Sequence, residues 1–192
     1  MKRVAQLAIV STMTLLFSSI THAGEKLNYY SLQVKDLPLT QQKRGLEVYE
    51  TLKNAGYLVY YYSANVSGKD WLKVRVGSFA EKGQAKQIGE QLKKTAGIVY
   101  WVDKTEVFVD SVKNQFDIVT TPSAVWLRTK DRTKELYKFN NLHGLDFLDH
   151  TQAVISPSGK EMVFYYDHKL VKVAIDSGTS EVLVKEGLLN SH

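Results

Sequence analysis

The sequence predicts an α+β fold in which a β-α-β unit occurs twice, giving a four-stranded antiparallel sheet with two helices on one face, followed by a small all-β unit. Three observations predict it. Two segments of alternating apolar and polar residues, Tyr30–Val34 and Trp71–Val76, each lead into a stretch with helical spacing. A glycine closes each helical stretch and a β-rich run follows it. Beyond residue 116 the chain changes to short β-branched and aromatic runs separated by polar turns.

In the first copy, Tyr30, Leu32 and Val34 share one face of a strand while Ser31 and Gln33 share the other. Pro38, which has no amide hydrogen to donate, stops the strand. Thr40 is the candidate helix cap, Leu46, Tyr49 and Leu52 recur at helical spacing, and Gly56 ends the helix. Tyr57 to Ser63 follows as a strand, in which Tyr60, Tyr61 and Tyr62 cannot all face one way.

The second copy follows the polar turn Ser67-Gly68-Lys69. Leu72, Val74 and Val76 give its strand an apolar face; Trp71, Lys73 and Arg75 give it a polar, aromatic one. Ser78-Phe79-Ala80-Glu81 fits a capping box, Ala85, Ile88 and Leu92 form the buried stripe of the helix, and Gly97 terminates it. Ile98 to Val102 closes the unit, so that helices cover one sheet face and the other stays in water. This is a ferredoxin-like arrangement.

The C-terminal unit, 116–189, contains the candidate strands Val125–Leu127, Leu136–Phe139, Ala153–Ile155, Met162–Tyr166 and Leu170–Val173, with a strong turn at Ser156–Lys160. The stretch from Ile155 to Gly178 resembles one blade of a Tol-type or WD40-like β-propeller, with Ser158 where the turn usually carries Asp. Several such blades are needed to close a propeller, so a small accessory sheet, an incomplete propeller and a piece completed by a partner all stay open.

Composition and the leader narrow the functional classes. The 192 residues contain no cysteine, which excludes a disulfide framework, a thiolate metal site, a cysteine nucleophile and a lipoprotein anchor. Lys2 and Arg3, the apolar run Val4–Ile20 and Thr21-His22-Ala23 have the layout of a secretory signal peptide, 1–23, cleaved after Ala23. Export to the periplasm follows, with no membrane association after cleavage. The formal charge of +5 is weak guidance, because Lys2 and Arg3 leave with the leader.

The segments Tyr30–Val34 and Trp71-Leu72-Lys73-Val74-Arg75-Val76-Gly77-Ser78-Phe79 together resemble the sporulation-related repeat (SPOR) family of peptidoglycan-binding domains, over residues 28–104. The resemblance implies binding of septal glycan strands stripped of their stem peptides along the open sheet face. The family's strand-one glutamine falls on Gln33 and the aromatic that opens strand three on Trp71. The usual glycine is replaced by Lys35 and the usual serine by Asp36. Chemically, an indole stacks on the apolar face of a sugar ring while amide and guanidinium groups bond its hydroxyl and acetamido groups. The candidate glycan-binding residues are Gln33, Trp71, Arg75, Lys73, Ser31 and Asp36.

Catalysis finds little support. His143, His150, His168 and His192 are scattered without ligand spacing, Asp146, Asp149 and His150 read as a solvated loop, and phosphate-loop and nucleophile-elbow motifs are absent. No catalytic residue, metal or cofactor is assigned. The function expected is non-catalytic peptidoglycan binding in the envelope at the division site. An alternative is an interaction scaffold that docks an envelope or division protein through the C-terminal unit. An open sheet bearing aromatics, Lys73 and Arg75 also suits nucleic acid, but export argues against that partner.

Overall fold

The structure is a computed structural model that describes residues 25–112, 115–151 and 153–185. The expected signal peptide, 1–23, lies outside these residues. Strand β1 (Glu25–Pro38) and a 3-10 turn (Leu39–Gln41) lead to helix α1 (Gln42–Asn54), then β2 (Val59–Val66), β3 (Lys69–Phe79), helix α2 (Lys82–Ala96) and β4 (Trp101–Val112). These strands pair antiparallel in the order β2-β3-β1-β4. Tyr49 and Leu52 of α1 and Ala85 and Leu92 of α2 join Leu32, Val34, Leu72, Val74 and Val76 in one buried cluster. The approach is close: a Cβ on Gly45 of α1 would lie 2.3 Å from Leu72 Cδ2.

The helix starts differ from the sequence expectation. Thr40 falls in the 3-10 turn, and the residue flanking α1 is Gln41, without a side-chain cap. Helix α2 begins after Glu81, also uncapped, because Ser78 still belongs to β3, where its Oγ accepts a hydrogen bond from Arg128 Nη1 at 2.7 Å, and so stands three residues short of the cap position. The stops agree: Gly56 and Gly97 have φ of +85° and +65°, which L side chains rarely adopt.

The sheet is larger than the four strands expected. Strand β4 does not stop at Val102; buried Val107, Phe108 and Val109 carry it on to Val112. Its free edge then takes β5 (Phe116–Thr120), followed by β6 (Ala124–Arg128) and β7 (Thr133–Lys138), making seven strands in the order β2-β3-β1-β4-β5-β6-β7. The sheet curls back on itself. Tyr61 N donates to Ser123 Oγ at 3.2 Å and Ser63 N to the His143 carbonyl at 2.8 Å, so the edge of β2 is met by chain flanking β6 and β7. Strand β7 lies along α1: Tyr49 donates to Glu135, Lys138 pairs with Glu50 at 2.9 Å, and Thr133 donates to the Gly56 carbonyl at 2.7 Å.

Strands β5 and β6 serve two cores through the alternation of their side chains. Val119, Ala124 and Trp126 enter the first cluster, while Ile118, Val125 and Leu127 enter a second. That second core is closed by a four-stranded antiparallel sheet of β8 (Val154–Ile155), β9 (Glu161–Tyr166), β10 (Lys169–Ala174) and β11 (Ser180–Lys185), through Met162, Phe164, Tyr166, Val171 and Val173. The turn expected at Ser156–Lys160 is present, with Gly159 N donating to the Ser156 carbonyl at 2.9 Å.

Candidate functional site

The registers of β1 with β3 and β4 decide which side chains meet. Gln33 stands opposite Arg75 on one side and Trp101 on the other, Asp36 opposite Lys73, Pro38 opposite Trp71, and Ser31 opposite Asp103. Directly opposed residues share a sheet face. Ser31, Gln33, Asp36, Trp71, Lys73 and Arg75 therefore all lie on the face away from the helices. A bulge between Gln33 and Lys35 is what brings Asp36 onto this face, and it leaves Lys35 opposite Val74 on the helix side.

Polar contacts join five of the six. Arg75 donates from Nη1 to Ser31 Oγ (2.9 Å) and the Lys104 carbonyl (3.0 Å), and from Nη2 to Asp103 Oδ2 (2.6 Å) and Gln33 Oε1 (3.5 Å). Asp36 Oδ2 accepts from Lys73 Nζ at 3.2 Å and from Gln33 Nε2 at 3.4 Å. The guanidinium carbon of Arg75 lies 5.5 Å from the Tyr62 ring centroid. Burial works against the Arg75 charge, yet Tyr62, Tyr60 and Asp103 outweigh it and hold its pKa above the ordinary value. Burial raises the pKa of the Tyr60 and Tyr62 phenols.

The face is not open along its whole length, as the sequence reading expected. Ser31 is 0% and Arg75 4% exposed, and Tyr60, Tyr62 and Thr105 are buried beside them. The second 3-10 turn (Leu145–His150) lies against both β2 and β4, which are not neighbours, so it crosses the face between them; Leu142 and Leu145 pack on the core there. The physical reason is the apolar content of this face. Tyr60 and Tyr62 continue into Val107 and Val109, and such a surface is buried when chain is at hand to cover it. What stays accessible is the end of the sheet, where Gln33, Asp36, Trp71 and Lys73 are half-buried.

The sequence reading missed Trp101. It is 60% exposed and stands opposite Gln33, yet only the β1–β4 register reveals that the two share a face. The signal present in the sequence was an aromatic at the start of the strand after Gly97. Of the triple tyrosine, Tyr60 and Tyr62 take the site face and Tyr61 meets Tyr49 of α1 at 5.0 Å between ring centroids.

A half-buried polar strip beside half-buried Trp71 and exposed Trp101 offers hydrogen-bonding groups and indole faces of the kind that suit an extended ligand. The comparison with known families agrees: residues 29–102 match the SPOR domain model, and the chain carries a SPOR domain. Domains of that family are binding modules for peptidoglycan, not catalysts. No curated protein and no solved structure matches the chain. Among the described residues, no group of three or more His, Asp or Glu side chains is placed to hold a metal ion, and no helix is long and apolar enough to cross a membrane.

Proposed function

We propose that the protein binds peptidoglycan in the cell envelope, on glycan strands stripped of stem peptides, as a non-catalytic module acting at the division site. The observation that carries this reading is the accessible Trp101 opposite Gln33 inside the SPOR match. Trp71 and Trp101 stack on sugar rings, Gln33, Asp36 and Lys73 bond their polar substituents, and buried Arg75, itself bonded to buried Ser31, holds Gln33 and Asp103 in place. Residues 28–104 form the binding unit, and export rests on the leader 1–23, cleaved after Ala23.

Pelleting with peptidoglycan sacculi, with and without prior amidase removal of the stem peptides, tests the reading. Amidase treatment should raise binding, and Trp101→Ala should abolish it while leaving the thermal midpoint nearly unchanged. Loss of folding in Trp101→Ala, or full binding by a folded variant, would place the ligand elsewhere. A second role is supported by the exposed Tyr165, Val182 and Val184 of the second sheet: residues 116–189 dock an envelope or division protein.

A further inference from the structure

We infer that the groove behind the sheet end is a carboxylate subsite, formed by Lys35 and Arg44, which reads the acid groups that stem-peptide removal uncovers on the glycan. The inference rests on the glycan-binding reading and adds to it what distinguishes stripped from unstripped strands. A groove of about 710 Å³ runs between α1 and the end of α2. Val34, Val48, Leu52, Ile98 and Val99 are among its walls, and Trp101 stands at it. Trp101 and Asp36 border the groove and belong to the glycan strip as well, so the two are continuous.

The bulge in β1 is the local cause. It turns Asp36 toward Lys73 and leaves Lys35 facing the helix side, where Arg44 of α1 also lines the groove. Neither cation has an ion-pair partner among the described residues; Arg44 only donates to Gln41 Oε1 at 3.0 Å. Asp36 is neutralised by Lys73, and Glu47 is the one uncompensated acid in the lining, which leaves the groove positive by one charge.

The ligand chemistry fits. A stem peptide is joined to a muramyl residue through an amide on its lactyl side chain. Hydrolysis of that amide leaves a carboxylate, which an unpaired lysine and arginine attract and a fork-shaped guanidinium can bond twice. A glycan stacked on Trp101 carries such a group toward Lys35.

The full-length mature chain is titrated calorimetrically with three soluble oligosaccharides of equal length: peptide-stripped glycan, the same glycan with its carboxylates methyl-esterified, and a chito-oligosaccharide without lactyl groups. The stripped glycan should bind about three- to tenfold more tightly than either control, as two partly exposed charge contacts allow. Lys35→Gln with Arg44→Gln should erase that preference and leave chito-oligosaccharide binding unchanged, and Glu47→Gln should enlarge it. Equal affinity for all three ligands in the wild type, or a preference that survives the double substitution, overturns the subsite while leaving glycan binding intact. Absence of binding to all three overturns the glycan reading beneath it.

Discussion

Removing the Arg75 side chain should damage the fold before it touches any ligand. Arg75 is 4% exposed, and its guanidinium donates to Ser31 Oγ, the Lys104 carbonyl and Asp103. In Arg75→Ala, Ser31 and the Lys104 carbonyl lose their donor at about 1 kcal/mol each, and a cavity opens beneath Tyr62. Breaking a buried ion pair costs about 3–5 kcal/mol when the orphaned charge stays buried. Asp103 is 56% exposed on its side chain and regains water, so its share is smaller. The loss should total about 2–4 kcal/mol, lowering the thermal midpoint by roughly 5–15 °C for a chain of this size. Urea unfolding read by circular dichroism measures it, with Arg75→Lys as the variant that keeps the charge and loses the fork. A folded Arg75→Ala within 1 kcal/mol of the wild type that no longer pellets with sacculi would show Arg75 to be a ligand contact, and the support role argued from its burial would fail.

Leu32→Ala or Val74→Ala should cost about 1–4 kcal/mol in the same assay, because both side chains are 0% exposed among the helices. Glycan affinity per folded molecule should not change. Glu81→Ser should stabilise by about 0.5–2 kcal/mol: residue 81 already has the extended backbone of a cap, and Gln84 follows at the spacing of a capping box. An unchanged urea midpoint would show that the α2 start is satisfied in another way. Alkaline pH should unfold the protein through its buried phenols. The pKa of Tyr60, Tyr61 and Tyr62 is raised above the ordinary 10.0, mainly by burial. Their contribution is therefore complete below pH 10 and is lost as pH rises through the folded values. Thermal midpoints from pH 8 to 11.5, with tyrosinate absorbance recorded in parallel, test this; ionisation of all the phenols near pH 10 without loss of stability refutes it.

How much of this was legible in sequence depends on the range of the signal. Alternation placed Leu32, Val34, Leu72, Val74 and Val76 on the helix side because it is a property of consecutive residues. Gly56 and Gly97 marked the helix ends for the same local reason. The pairing of Gln33 with Trp101, by contrast, depends on a register 68 positions apart in the chain, and the placing of Asp36 instead of Lys35 on the Gln33 face on a bulge that alternation cannot express. The covering of Arg75 lay further out of reach. Its strand shows the same pattern whether the polar face meets water or a second layer, since both terminal nitrogens of the buried Arg75 find acceptors in Asp103, Ser31 and Lys104 that alternation does not reveal. The capping box failed because the strand runs further than alternation suggests: Ser78 has the right neighbours along the chain but stays in β3, bonded to Arg128 50 residues later, and the helix starts after Glu81. The covering of Arg75 and the bond to Ser78 both come from chain beyond the SPOR match, the Leu145–His150 turn and Arg128, and the half-buried Gln33, Asp36, Trp71 and Lys73 lie at the end of the sheet that stays accessible.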